Sequence, residues 1–120
     1  SALGCNVGAI VKSLLFNAGD DFVLCLISGD KKCSLNKLKK ILNKKDVSMA
    51  NPDDVKKITG YTIGGVSPIG HLIKVNIFID INLERFSSVF AAAGHPNCVF
   101  KINFDQLSKL TLGVVTDLVE

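Results

Sequence analysis

Residues 7–28, "VGAIVKSLLFNAGDDFVLCLIS", hold the pattern that decides the fold. Two apolar runs rich in Val, Ile, Leu and Phe flank the polar segment NAGDD at positions 17–21. Apolar runs of this length that are separated by turn-forming residues are typical of a β-hairpin. We therefore predict a strand over 7–16, a turn over 17–21 and a partner strand over 22–28.

One charged residue, Lys12, interrupts the first apolar run. If the run is a strand, the face that carries Lys12 also carries Ile10, Leu14 and Phe16. An ammonium flanked by apolar groups is costly unless it meets an anion or a polar cavity, and lysines in such places often bind anions or take part in catalysis. A lysine that protects an edge strand from aggregation gives the same pattern, so both interpretations stay open.

The rest of the chain mixes helices and strands. Ser34, Asn51 and Asn103 are residues that cap helix N-termini, and each precedes a stretch with helical periodicity. Helices are predicted over 34–43, 52–59 and 104–110, and further strands over 72–79, 87–93, 98–104 and 113–119. Because the order has no strict βαβ rhythm, it predicts a single α+β domain over residues 1–120, built on a mixed sheet.

The composition excludes several classes of protein. With 120 residues, 48% hydrophobic and 21% charged, the chain can bury a core and is not disordered. It has no apolar run of about 18 residues and no basic secretory leader, so we expect a soluble cytoplasmic protein without a membrane segment. The four cysteines, at 5, 25, 33 and 98, lack zinc-site spacing, so we expect no metal or cofactor.

Positive charge is concentrated in residues 31–57. This segment holds nine of the 14 basic residues and three of the 11 acidic ones. A cationic segment on an otherwise slightly acidic chain indicates a polyanionic partner, although a solvated helix face would have the same composition. All nine are lysines, which favours attraction to phosphates over the reading of bases.

A glycine-rich segment, "TGYTIGGVSPIGH" at residues 59–71, holds four of the ten glycines and no Asp, Glu, Lys or Arg. It fits neither the G-x-G-x-x-G motif nor a P-loop. Its apolar residues favour a shaped loop over a flexible linker, and free N–H groups beside glycine could hold a carbonyl oxygen or orient a water molecule. Neither His71 nor His95 has a plausible nucleophilic serine or cysteine partner by local sequence, so nothing supports a catalytic triad.

These segments together are similar to one family. Lys12 within "AIVKSLLF", the glycine segment, "AAAGHPN" at 91–97 and "LSKLTLGVVTDL" at 107–118 resemble the YbaK/ProX family of aminoacyl-tRNA editing deacylases. That family is related to the insertion domain of bacterial prolyl-tRNA synthetase, and the resemblance runs from about residue 3 to 119. It implies a partly barrel-like sheet with flanking helices. It also implies hydrolysis of the ester of a mischarged tRNA, most often tRNA-Pro that carries a small non-cognate amino acid such as Cys or Ala.

The resemblance also implies roles for particular residues. Lys12 would hold the tRNA 3′ end across a cavity from the glycine segment, whose backbone would orient the ester and the water. The expected catalytic positions are Lys12, Gly64, Gly65, Ser67 and Pro68. The expected amino-acid pocket is formed by Tyr61, Val66, Gly94 and His95. The expected contacts to the tRNA acceptor end are Lys31, Lys32, Lys37, Lys40, Lys44 and Lys45.

Two alternatives and several expectations accompany this assignment. The chain could instead be a non-catalytic RNA-binding module, or a module that associates with a synthetase. Prolyl-tRNA synthetase is a candidate partner, and a monomer is expected. Only eleven residues precede Lys12, fewer than in the family, so the pocket is either built from a shortened chain or more open. The sequence does not indicate which amino acid is removed.

Overall fold

The structure is a computed structural model that describes residues 7–62, 65–71, 74–95 and 98–120, without the side chains of Val7, His95 and Cys98. The α-helices are α1 (Leu35–Leu42), α2 (Pro52–Thr59) and α3 (Phe104–Thr111). The strands are β1 (Val11–Ala18), β2 (Asp21–Ser28), β3 (Val47–Met49), β4 (Asn76–Asp80), β5 (Val89–His95), β6 (Cys98–Ile102) and β7 (Val114–Thr116). Short 3-10 helices cover Val7–Ala9 and Ile81–Arg85.

The predicted hairpin is confirmed. β1 and β2 pair antiparallel from Val11 opposite Ser28 to Ala18 opposite Asp21. Gly19 takes a positive φ of 64° in the tight turn between them, a conformation that glycine adopts without strain. The first strand begins at Val11 instead of residue 7, because a 3-10 turn precedes it.

The strands form a mixed sheet, as predicted. Its order is β3-β1-β2-β4-β7, with β1 antiparallel to both of its neighbours and the β2–β4 and β4–β7 pairs parallel. β5 and β6 make a separate antiparallel pair, which meets the large sheet through a bridge between Ile10 and Phe90. Within the described ranges the strands do not close into a barrel, and the domain is of the α+β class.

Each face of the large sheet is buried under a different set of elements. On one face, Val11, Leu15, Leu24 and Leu26 pack with side chains of α2, α3 and the β5–β6 pair. On the other face, α1 contributes Leu38 to the core, and the end of the chain contributes Leu118 and Val119. The strand residues buried on this face include Phe16, Val23, Cys25, Ile27 and Phe78. The alternation of β1 therefore assigns Lys12, which lies between Val11 and Ser13, to the face that α1 covers.

All three predicted helix caps are present. The side chains of Ser34, Asn51 and Asn103 each accept a hydrogen bond from the backbone N–H three residues further along. In α3, Gln106 completes a reciprocal capping box with Asn103. No sequence pattern indicated β3 or the 3-10 turn at Ile81–Arg85. β4 begins at Asn76, after Lys74 and Val75, and the predicted strand start at residue 72 lies outside the described residues.

Candidate functional site

Lys12 lines a cavity of about 340 Å³ on the α1 face of the sheet. Its half-buried side chain donates a hydrogen bond of 2.7 Å from Nζ to the carbonyl oxygen of Lys31. An ammonium has more N–H donors than this bond uses, so it can also bind an oxygen atom inside the cavity. The cavity is otherwise mainly apolar; its further lining residues are Leu14, Phe16, Lys32, Cys33, Leu35 and Met49.

The 117–120 segment holds the backbone around Lys31 in place. The Leu118 carbonyl accepts from the N–H of Ser34 at 2.7 Å, and the N–H of Glu120 donates to the carbonyl of Lys32 at 3.0 Å. Lys37 binds the carboxylate of Asp117 at 2.7 Å, and this hydrogen bond lowers the pKa of the Asp117 carboxyl. The Lys31 carbonyl that orients Lys12 therefore belongs to a turn that these hydrogen bonds hold in place.

The side chain of Asp80 holds the 117–120 segment through a hydrogen bond to its backbone. This side chain is fully buried at the end of β4, and Oδ1 accepts a hydrogen bond of 2.9 Å from the N–H of Leu118. The other oxygen, Oδ2, is buried without a hydrogen-bond partner among the residues that the structure describes. A charged residue directly after the apolar run "VNIFI" is the sequence signal that could have pointed to Asp80.

The glycine segment is a shaped loop, as predicted. In its described part, Val66, Ser67 and Pro68 are buried, and the N–H of Gly65 donates to the Thr62 carbonyl at 2.9 Å. The ring nitrogen Nε2 of His71 lies 2.7 Å from the carbonyl oxygen of Ser67. Because a carbonyl oxygen only accepts, the ring nitrogen must be the donor.

Tyr61 connects this loop to the end of β5. Its hydroxyl donates to the carbonyl oxygen of Ile69 at 2.9 Å. Gly70 and Gly94 both have positive φ angles, and both lie against Tyr61: a Cβ on Gly70 would be 2.7 Å from the hydroxyl oxygen, and one on Gly94 would be 3.0 Å from a ring carbon. Tyr61, predicted as a pocket residue, thus has a clear structural role as well.

Lys12 and the described part of the loop do not line the same cavity. Val66 packs in the core together with Val11 and Leu15, which project from β1 on the face opposite to Lys12. Pro68 and His71 line a different cavity, of about 640 Å³, between the loop, the start of β4 and the end of α3. Gly64 and the side chain of His95 lie outside the described residues, so these two expected positions have no observed geometry.

The six lysines predicted to contact tRNA fall into different environments. Lys37 binds Asp117 and the Val119 carbonyl, and Lys44 binds Asp21 and the Ala18 carbonyl, so both already have structural partners. Lys31 is half-buried and supplies the carbonyl that holds Lys12. The exposed members are Lys32, Lys40 and Lys45.

Sequence patterns did not identify the lining of the Lys12 cavity beyond β1. Leu35 and Met49, which are 39% and 54% exposed, come from α1 and from the unpredicted strand β3. Cys33 enters through the turn between β2 and α1. None of these contacts has a local sequence signal, because they depend on where distant segments meet.

The part of the chain that the structure describes contains neither a metal-binding cluster nor a membrane-spanning helix. Within this described part, no three His, Cys, Asp or Glu side chains are grouped so that they could hold a metal ion. None of its helices combines the length and the apolar character needed to cross a membrane.

The chain matches a known family and several proteins of known sequence. A family model described as the aminoacyl-tRNA editing domain matches residues 1–110. The protein YwhH of Bacillus subtilis, itself uncharacterized, is 32% identical over 94% of this chain and 72% of its own length. Proline–tRNA ligases are also similar: that of Caldicellulosiruptor bescii is 30% identical over 98% of this chain, and that of Lactobacillus gasseri 49% over 73%. The chain spans only 20% and 16% of those two ligases.

A solved structure shares the fold along nearly the whole chain. It is the crystal structure of a candidate trans-editing enzyme for prolyl-tRNA synthetase, with a TM-score of 0.95 and 36% identity over 99% of this chain and 75% of that one. The match includes the strand that carries Lys12 and the loop at 65–71. Together with the family model, it shows that this chain belongs to the aminoacyl-tRNA editing domain family.

Proposed function

We propose that the chain hydrolyses the ester bond of a mischarged tRNA and that the ester binds at the Lys12 cavity. The observation that carries this proposal is the half-buried Lys12 ammonium, which is oriented by a backbone carbonyl and lines a mainly apolar cavity. A cation fixed in such a place stabilises the negative charge that develops on an ester oxygen during hydrolysis. The similarity to editing domains supports the same reaction.

The substrate we propose is tRNA-Pro that carries a small non-cognate amino acid such as Cys or Ala. The support comes from the proline–tRNA ligases and from the trans-editing structure named above. Such a reaction would take place in the cytoplasm, with the tRNA acceptor end bound and with prolyl-tRNA synthetase as an associated partner. The side chains of Leu14, Phe16 and Leu35 line the space in which the aminoacyl group would lie.

We propose that the glycine segment contributes through its backbone. Ser67 and Pro68 are buried, so their side chains are poorly placed to contact a tRNA directly. Held by the Tyr61 and His71 hydrogen bonds, the loop would instead present backbone groups to a part of the tRNA other than the ester, because the loop packs on the face of the sheet opposite to Lys12. Tyr61, Val66 and Gly94 pack on that face as well, so together with His95 they would shape a contact with the tRNA beside the loop and not the space for the aminoacyl group beside Lys12.

The decisive experiment is a deacylation panel with tRNA-Pro charged with Pro, Ala, Cys, Ser or Thr. Wild-type protein should release at least one non-cognate amino acid faster than Pro. Lys12→Ala should lower kcat/KM by about 10²–10³-fold, because a preorganised charge at the ester is lost. Lys101→Ala is the matched control: this lysine is exposed on β6, it lines neither the Lys12 cavity nor the cavity beside the loop, and its variant should keep the wild-type rate.

A second function has one observation in its favour. Since Lys12 and the described part of the loop line different cavities, the protein could be an RNA-binding module without catalysis. In that case tRNA would bind in a salt-sensitive manner, no amino acid would be released, and Lys12→Ala would leave binding unchanged. A folded Lys12→Ala variant that deacylates at the wild-type rate would contradict the catalytic proposal.

A further inference from the structure

Two thiols meet beside the Lys12 cavity. Cys33 is half-buried and lines the cavity, whereas Cys25 is fully buried on β2. The two thiols affect each other's pKa, and both cysteines are free. A small molecule that enters the cavity would therefore meet Cys33 first, with Cys25 behind it.

The groups around Cys33 favour a reactive thiolate. The hydrogen bond from Cys25 lowers the pKa of the Cys33 thiol, and the nearby Lys12 ammonium adds to this effect; burial, Asp80 and Glu120 oppose it, and the net direction is downward. The pKa of Cys25 is raised by the same hydrogen bond and by burial, so Cys25 remains a thiol that can donate. A second cation, Lys32, lines the cavity as well. Cationic, partly exposed surroundings of this kind are typical of reactive cysteines.

We propose that Cys33 is a modification site for small anionic disulfides, of which oxidised glutathione is the model, and that they reach it through the Lys12 cavity. The thiolate sulfur of Cys33 attacks one sulfur of the disulfide, the original S–S bond breaks, and a glutathione thiolate leaves. The product is a mixed disulfide on Cys33, and the exchange needs no other oxidant. The carboxylates of the attached glutathione would lie near Lys12 and Lys32, whose charge they complement.

The modification would also fill the space beside Lys12. If the Lys12 cavity binds the ester, as proposed above, the attached group would block the substrate. The chemical modification itself does not depend on that function. It can therefore be tested on a protein that shows no deacylation at all, and its failure would leave the proposed function untouched.

The test is a rate measurement on the folded, reduced chain. The protein is incubated with oxidised glutathione between pH 6 and pH 9, and the modification of each cysteine is followed by peptide mass spectrometry, with N-acetylcysteine as the reference thiol. The rate of Cys33 should rise with a midpoint at lower pH than that of the reference. If the two midpoints differ by about one pH unit, Cys33 should react about threefold faster than the reference below both midpoints, because the gain in thiolate is partly offset by weaker nucleophilicity.

Matched variants separate the contributions of Lys12 and Cys25 to the lowered pKa of the Cys33 thiol. Lys12→Gln and Cys25→Ala should each move the midpoint back towards that of the reference thiol, whereas Cys25→Ser keeps a hydroxyl donor and should stay closer to wild type. Cys25 reports folding in the same samples, because a fully buried thiol stays unmodified as long as the protein is folded. The proposal is overturned if Cys33 of the folded wild-type protein reacts no faster than N-acetylcysteine at any pH.

Discussion

At the scale of single residues, one glycine of the 59–71 segment, Gly70, makes room for the side chain of Tyr61. The sequence predicted a shaped loop, and the positive φ of Gly70 agrees with that. It did not predict that Gly70 and Gly94, 24 positions apart, would both lie against Tyr61. A local pattern shows where the backbone needs glycine, but not which distant ring requires the missing side chain.

Substitution of Gly70 should therefore cost more than backbone strain alone. Gly19→Ala places a Cβ at a φ of 64° with its nearest neighbour, Lys44 Nζ, 3.5 Å away, so only the strain of about 1–2 kcal/mol is expected. Gly70→Ala has a similar φ of 75°, but its Cβ would lie 2.7 Å from the Tyr61 hydroxyl. Tyr61 must then move and lose its bond to Ile69, which adds about 1 kcal/mol. Urea unfolding measures both variants, and equal losses would contradict this account.

For Lys12, too, the local sequence does not identify the distant group that the side chain contacts. Its position among apolar neighbours predicted that the ammonium needs a polar contact, and a cavity and a hydrogen bond are found. The partner is the carbonyl of Lys31 and not a carboxylate, and nothing in the local sequence could show this. The contact depends on the turn after β2, which folds back next to β1 only when the hairpin has formed.

At the scale of elements, short-range signals predicted the helices well and the small strands poorly. Caps at Ser34, Asn51 and Asn103 act within three residues, so the sequence contains the whole signal. β3 has three residues and exists because it pairs with the end of β1. The backbone bonds of the 117–120 segment likewise join residues more than 80 positions apart. Such pairings are properties of the assembled sheet.

The 117–120 segment is expected to depend on Asp80 more than on its surface ion pair. Asp80→Ala leaves the N–H of Leu118 without its acceptor in a buried place, which should cost about 1–3 kcal/mol in the free energy of unfolding. Asp117→Ala removes the exposed pair with Lys37 and a backbone contact at Val119, and it should cost less than about 1 kcal/mol.

Hydrogen exchange locates the effect of these two variants. The amides of Leu118 and Ser34 should exchange faster in Asp80→Ala, and those of α3 should be little changed relative to the global loss of stability. Unaltered protection at Leu118 would show that Asp80 does not anchor the segment. The exchange rates decide this point without any measurement of deacylation.

At the scale of the whole molecule, the lysine-rich segment is one part of a protein with a formal net charge of only +3. The sequence predicted that this segment meets a polyanion. The structure refines the expectation, because Lys37 and Lys44 are used in internal contacts while Lys32, Lys40 and Lys45 are exposed. Electrostatic footprints can be predicted from composition, whereas the choice between internal and external partners requires the fold.

We expect the exposed lysines to determine the salt dependence of tRNA binding. Replacing Lys32, Lys40 and Lys45 together by Gln should reduce the slope of log K against log salt by about 2–3, because each phosphate contact contributes about 0.7–0.9. Lys74, Lys101 and Lys109, also exposed, lie outside the lysine-rich segment. Their triple Gln variant removes the same charge and should leave the slope nearly unchanged. Equal effects of the two variants would show that net charge alone, without a defined surface, attracts the RNA.

The position of β1 between its neighbours has a consequence for how the ammonium of Lys12 is kept in place. β1 pairs with β2 along its full length, and its other side is bonded to β3 at one end and bridged to β5 at Ile10. A slip of one residue would carry Lys12 to the opposite face, among the apolar side chains that pack with α2, α3 and the β5–β6 pair, and it would have to break contacts on both sides of β1 at once. The backbone pairing of β1 thus determines the face of the sheet on which the Lys12 ammonium lies, whichever side chains line the cavity. An insertion of one residue within β1 would move the ammonium to the other face.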